Sequence, residues 1–489
     1  MTTEEAPRPR GEDERMTTAE KNTSNPAAGR KYRTEPEPSD RMPPGIPYIV
    51  ANEFAERFSF YGMSAILVVF MTQHLKDRAG QLAVMSPEDA DIWFHNFTSF
   101  VYFTPIVGAL IADVFWGKYN TILWVSLLYC AGHGALALGE TRTHLVVGLT
   151  LIGMGAGGIK PCVSAHVGDQ FGPANEHLLS TVYNWFYFSI NLGAFFAQLA
   201  IPYLRATYGP RVAFGVPGIL MAVATFVFWL GRYRFVHRPA QGWGRVRENF
   251  TGENLRILLR LVLFFLFVAP FYALYYQGSG AWVNQANHLD LRLHAFGVTL
   301  LQDQVQSANA ILILLFIPLF TYGVYPAVGR LVRLTPQRKI GAGMFVLVPA
   351  FVIAAHVERR IVAGDRPSVW WQLLAYAIIT GAEIMVSVPA LEFAYKQAPR
   401  QMKSLVMAAY LAGSISFGNV IAGLVIRLFK LDRIAPHVTG PNSPNYYWAF
   451  VGLIAVAGVA YTVLSRLLPV KDFIAPDQAS PAARGHDSA

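Results

Sequence analysis

The chain has 489 residues, of which 53% are hydrophobic and 15% charged. A water-soluble protein of this length carries about a quarter of its residues as charged side chains, so a conventional soluble enzyme is excluded. The 40 Lys and Arg against 31 Asp and Glu leave a net charge of +9. In so apolar a chain this reads as the cytoplasmic bias of loop cations, not as affinity for nucleic acid. The two cysteines, Cys130 and Cys162, fall in apolar stretches and supply neither a disulfide framework nor a metal site.

In chain order, residues 1–45 are polar and predict a disordered tail without the apolar core of a signal peptide. Twelve apolar segments follow, at about 46–72, 91–115, 119–138, 144–167, 180–203, 211–230, 257–279, 305–331, 339–357, 369–395, 403–428 and 445–468. Each is long enough to cross a bilayer as a helix, and none alternates like a barrel strand. A second tail is expected over 469–489. An even number of crossings places both termini on one side. The loop after segment six holds Arg232, Arg234, Arg238, Arg245, Arg247, Arg256 and Arg260, and the turns at Arg330–Lys339 and Lys396–Lys403 are also one-signed. Loops on the other side mix signs, so the termini and the 231–256 linker are expected in the cytoplasm. Bundles of six at 46–230 and 257–468, joined by that linker, form the pattern of a secondary transporter with its path between the halves. A polytopic enzyme would need a nucleophile–base pair or a metal cluster, and the chain has neither H-x-x-x-H nor H-E-x-x-H. The glycine run 153–158 is no phosphate loop.

Ionisable residues inside such segments are costly and mark function. Segment one carries Glu53, Glu56 and Arg57, which helical spacing puts broadly on one side. Segment four carries Lys160 after small residues that permit close helix contact. With segment one running outward and segment four inward, Glu53 and Lys160 each lie about seven residues, or roughly 10 Å, from the cytoplasmic end, so the acids and the lysine are expected to meet. Segment ten carries Glu383 in the opposite half. Cations (Arg57, Lys160) on one wall and an acid on the other suit a zwitterion, carboxylate toward the first and ammonium toward the second. His95, near the outer end of segment two, is a candidate proton acceptor. Asp113 and Lys118, flanking the turn between segments two and three, are candidates for a conformational latch.

These residues resemble the proton-coupled oligopeptide transporter family of the major facilitator superfamily, over most of 48–468. The resemblance rests on Glu53-Phe-Ala-Glu56-Arg57-Phe with Tyr61-Gly62, the turn 108–118, GGIKPCVSAHVGDQF around Lys160, FYFSINLGAF from Phe186, QSANAILI around Asn309 and ALEFAYKQAP before Met402. It implies an all-α membrane protein with twelve transmembrane helices in two six-helix bundles. It also implies proton-coupled uptake of di- and tripeptides by alternating access, with the proton as coupling ion and no other cofactor. Glu53, Glu56, Arg57 and Lys160 match the family's coupling group. Asn191 and Asn309 match peptide-binding positions, Glu383 the acid that takes the peptide amine, and Tyr61 and Tyr102 pocket tyrosines. His95 matches a histidine of the animal-like branch. In segment seven Tyr276 stands where the family usually has an acid, while Tyr272 and Tyr410 stand at tryptophan positions, which predicts a hydroxyl-rich pocket and a changed outer gate. The implied setting is a monomer in the plasma (inner) membrane with both termini cytoplasmic. Histidine or nitrate transport on the same scaffold is the alternative.

Overall fold

The computed structural model describes residues 32–248, 250, 252–397, 403–430 and 443–467. The remainder of the two expected tails and the turn at 398–402 lie outside these residues. The described chain is helical throughout its apolar segments, apart from a two-residue antiparallel pair, Arg292–Leu293 with Val298–Thr299, in the loop after segment seven. Among the described residues, eleven continuous helical runs are long and apolar enough to cross a membrane. Segments two and three share one of them, Pro87–Leu138, whose 52 residues are more than twice the length one crossing needs. Within it the chain turns at Gly117, whose φ of 73° a side chain would strain. This is an all-α, multi-span integral membrane fold.

Local chemistry starts the helices. Ser86 caps Pro87–Phe103 by accepting from the Asp89 amide, Thr141 caps Arg142–Asp169 through His144, and Thr335 caps Pro336–Val346 through Arg338. Pro87 and Pro336 each occupy a first turn, where the missing N–H costs nothing. Interior prolines at 161, 202, 217, 270 and 389 are accommodated within helices, as membrane segments allow when neighbours supply hydrogen bonds.

Packing in the first half turns on glycines. A Cβ on Gly108 would lie 2.5 Å from the Gly158 Cα, and one on Gly157 would lie 1.8 Å from Thr104 Oγ1. Segments two and four therefore touch backbone to backbone, an approach sealed by Thr104 donating to the Gly153 carbonyl at 2.9 Å. Gly155 packs in the same way on Tyr129 and the Val125 carbonyl of segment three. These contacts fix the height of Lys160, two residues beyond Gly158.

Two expectations change here. Residues 32–45 of the expected tail are packed: the Tyr32 ring stacks on His237 at 4.2 Å, the Arg33 carbonyl accepts from the His237 amide at 2.7 Å, and Asn175 donates to the Arg41 carbonyl. Burial lowers the pKa of His237, so the ring meets Tyr32 uncharged. The expected Asp113–Lys118 pair is not formed. Lys118 pairs with Asp169 at 2.7 Å, and Arg238 reaches the same carboxylate at 3.4 Å. Asp113 instead offers its backbone carbonyl to the Gln241 and Gly242 amides. Helical geometry explains the exchange, because the turn at Gly117 sends Lys118 toward the end of segment four. Cys130 and Cys162 are both free thiols.

Gly157→Val is expected to destabilise the fold by about 1–3 kcal/mol, the usual cost of overpacking, seen as a lower unfolding temperature in detergent. Gly134→Ala, where the added methyl meets open space, is expected to leave that temperature unchanged or slightly raised.

Candidate functional site

Segment one brings its three charges together as the spacing predicts. Arg57 Nε donates to Glu53 Oε1 at 2.6 Å, one helical turn away, and lies 3.1 Å from Glu56 Oε2. Lys160 Nζ, from segment four, meets Glu56 Oε1 at 3.3 Å. Both acids are buried, with side chains 1% and 0% exposed, and Lys160 is 6% exposed. The ammonium also lies 4.3 Å above the Phe60 ring and 5.8 Å from that of Tyr102, aromatic faces that favour a cation. Two acids and two bases leave the cluster formally neutral. Glu53 Oε2 has no hydrogen-bond partner.

Across the molecule, Glu383 is held by a neutral group. Asn309 Nδ2 donates to Glu383 Oε2 at 2.9 Å and to Thr380 Oγ1 at 3.0 Å, while the Tyr275 hydroxyl donates to Asn309 Oδ1 at 3.3 Å. Among the described residues no cation pairs with Glu383. Its carboxylate and Asn309 face Tyr61, Asn191 and Tyr276 across a cavity of ≈ 80 Å³ between the two halves. Small-molecule pockets enclose about 300–1,000 Å³, so in this state the cavity is too small for a ligand of several heavy atoms. Arg57 and Lys160 do not line this cavity. They are turned onto their own acids, just behind Phe60 and Tyr61.

Tyr102, Tyr272, Tyr410 and His95 also stand outside the cavity lining. Tyr272 and Tyr410 do not line the cavity; their hydroxyls meet each other at 2.6 Å, and Tyr272 also donates to Ser387. The hydroxyls gained at those positions are thus consumed in the protein interior. His95 is fully buried, not poised at an outer surface. Its Nδ1–H donates to Asn419 Oδ1 at 2.7 Å, and its Nε2 accepts from Gln277 Nε2 at 3.1 Å. Gln277 in turn accepts from the Tyr446 hydroxyl at 2.6 Å. The orientation of the two amides sets the neutral tautomer. Tyr102 packs on Tyr276, ring centres 5.9 Å apart, and Asn191 donates to the Tyr187 carbonyl.

Sequence reasoning missed a group of contacts between the halves, at the end of the molecule remote from Ile46 and Leu467. Arg205 holds Asp303 through two bonds, at 2.9 and 3.3 Å, and donates to His74 Nε2 at 3.2 Å. Burial and the nearby guanidinium lower the pKa of His74, which keeps its ring a neutral acceptor. Burial raises that of Asp303 against the pull of Arg205. Lys430 pairs with Asp89, Asn284 donates to Asp91, and Gln306 donates to the Ala65 carbonyl. With His95 and Gln277, these contacts close that end.

The sequence profile of the POT family matches residues 119–250 and 243–440, about two thirds of the chain. The chain belongs to the POT family. It is similar to Peptide transporter family 1 of Drosophila melanogaster, 35% identical over 366 residues that make up 65% of this chain and 48% of the relative. It is also similar to Solute carrier family 15 member 2 of Homo sapiens, 34% identical over 369 residues, 65% of this chain and 49% of that protein. The chain spans about half the length of these curated relatives. Among solved structures, the POT family transporter PepTSo superposes with a TM-score of 0.79 at 32% identity, covering 87% of this chain and 98% of that one. An auto-inhibited POT family peptide transporter gives 0.78 at 31%, with 89% and 99% covered.

Removing one partner of a buried ion pair costs about 3–5 kcal/mol. Asp303→Asn is therefore expected to loosen the closed end. A cysteine placed at Ser307, buried in this state, should react with a polar maleimide at least about tenfold faster, and the charge-swapped pair Arg205→Asp with Asp303→Arg should recover part of the protection.

Proposed function

We propose that the chain is a proton-coupled symporter that takes up di- and tripeptides by alternating access, as a monomer in the plasma (inner) membrane. In this reading the run Pro87–Leu138 crosses twice, giving twelve transmembrane helices in bundles of six at 46–230 and 257–468. The linker 231–256 and both termini lie in the cytoplasm, in keeping with the arginine-rich loops. The names of the relatives and their long shared region support the substrate class.

The observation that carries the reading is the contrast between two sets of buried charge. Glu53, Glu56, Arg57 and Lys160 neutralise one another, so a proton added to either acid leaves one positive charge in surroundings of low dielectric. A peptide carboxylate is the natural group to balance it. Glu383 has only amide and hydroxyl neighbours, and a peptide ammonium would give it the cation it lacks. Asn309 positions Glu383, while Asn191, Tyr61 and Tyr276 border the ligand space and Tyr102 backs Tyr276. Proton and peptide then bind together because each removes the other's electrostatic penalty. Opening at the cytoplasmic end releases both, and the re-formed pairs favour return.

The energy is adequate. One proton crossing ~100 mV supplies about 2.3 kcal/mol, and one pH unit adds roughly 1.4 kcal/mol. Together they sustain a concentration ratio of several hundred for a neutral peptide at one proton each. Nitrate would leave Glu383 without a cation. Histidine would satisfy both ends, and the neutral Tyr276 keeps it as the second reading.

Proteoliposomes with an imposed gradient decide among these. Dialanine should accumulate when the interior is alkaline or negative, with histidine and nitrate transported poorly; preferential uptake of either would replace the peptide reading. Glu56→Gln and Lys160→Ala should each lose gradient-driven accumulation while retaining more of the counterflow. Concentration of dialanine at the wild-type level by either variant would remove the cluster from coupling. Glu383→Ala should weaken binding of free-amine peptides roughly 10- to 100-fold, the worth of a hydrogen bond to a charged group; unchanged affinity would remove its role.

A further inference from the structure

Asp91 lies one turn into the Pro87–Phe103 helix and is fully buried. Its neighbour Asp89 faces the same interface and finds a cation there, Lys430 of the other half. Asp91 finds none among the described residues. Its Oδ1 accepts from Asn284 Nδ2 at 3.2 Å, across the two halves, and its Oδ2 has no partner. The titratable groups around it are Glu88 and His95 on its own helix and the phenols of Tyr446 and Tyr447 on segment twelve. The helical run Asn254–Ala286 presents Asn284 and Gly280. A Cβ on Gly280 would stand 3.3 Å from Asp91 Oδ1 and 3.6 Å from His95 Nε2, so acid and imidazole border one small space.

We propose that Asp91 is a second proton-binding site of the transporter, distinct from the Glu53–Glu56 cluster, and that it carries its proton whenever the outer end is closed. The inference rests on the two-half, alternating-access reading. An ionised carboxylate sealed in this interface would face an amide, a neutral imidazole and phenols, with no cation to offset its desolvation. A neutral carboxyl leaves only a hydrogen bond unmade. His95 cannot take this role in the closed state, because a proton on Nε2 would point at the Gln277 amide nitrogen that now donates to it. Once the halves part, water reaches Asp91 and the proton exchanges with the outer medium. Closure and proton uptake are then one event. The closed state holds one proton more than the open state, so closure is favoured as pH falls, by up to tenfold per pH unit.

The experiment uses substrate-free protein in lipid nanodiscs. Spin labels replace Arg78 and Phe296, exposed in outer loops of opposite halves, with Cys130 and Cys162 changed to alanine. Distance distributions from pH 5 to 9 give the closed fraction. The parent should close increasingly toward acid. Asp91→Asn, which mimics the protonated acid, should remain closed at alkaline pH, with its slope reduced by about one proton. Asn284→Ala, which keeps the acid and removes its partner, should retain the pH dependence. A parent whose closed fraction ignores pH, or an Asp91→Asn slope equal to that of the parent, would overturn the proposal. Dialanine uptake is scored separately: gradient-driven uptake with an unchanged slope sinks Asp91 alone, whereas a reduced slope without peptide uptake sinks the substrate reading and keeps the proton site.

Discussion

A lysine sealed between two membrane helices must find a carboxylate, and the Lys160–Glu56 contact at 3.3 Å meets that requirement here. Its existence depends on backbone approach. Segments two and four touch at Gly108 and Gly158, and segment four reaches segment three at Gly155. Without that closeness Lys160 would have to satisfy its charge elsewhere. The consequence is electrical: with Arg57 shared between Glu53 and Glu56, the cluster sums to zero and has no reason to attract an anion until a proton arrives. On the proposed cycle, the same balance that makes the cluster tolerable in an apolar interior makes it responsive to a proton.

The opposite wall is organised differently. Glu383 is supported by Asn309, itself tied to Tyr275 and Thr380, so the acid is positioned without being neutralised. Toward the closed end the interface changes character again. His95, Gln277, Asn419 and Tyr446 form a chain in which each donor has an acceptor and no member need be charged, while Arg205–Asp303 adds a buried ion pair and Asp89–Lys430 an exposed one. On the proposed cycle the exposed Asp89–Lys430 pair is the first of these contacts that water reaches, while Arg205–Asp303 is hydrated only as the end opens.

Much of the fold and half of the site could be read before any coordinates. Uninterrupted apolar runs announce helices, and an acid or base within one stands out against them; this exposed Glu53, Glu56, Arg57, Lys160 and Glu383. Charges near segment ends carry no such contrast. Arg205 looks like an ordinary cation at a helix terminus, and Asp91, soon after Pro87, looks like a first-turn acid of the kind helix dipoles favour; only the tertiary structure buries them against the other half. Asp169 was hidden for the same reason, and Asp113 was credited with its partner. Tyr32 to Met42 hold too few apolar residues to predict order, which comes instead from stacking and backbone pairing with the 233–237 stretch.

The tyrosine at 276 takes its meaning from this arrangement. An acid there would face the halves' meeting point near mid-depth. The phenol instead packs against Tyr102 of the other half, and because a phenol is neutral at physiological pH such a contact forms and breaks without exchanging a proton. On the proposed cycle, a contact indifferent to protons transfers the burden of coupling to the carboxylates on either side of it. Those are the paired acids of segment one, the unpaired Glu383 and, one turn beyond Tyr276 and across the interface beside Gly280, the unpaired Asp91. On the proposed cycle opening or closing of one end would change the access of each to water, which is the condition a group must meet if its protonation is to be coupled to that motion.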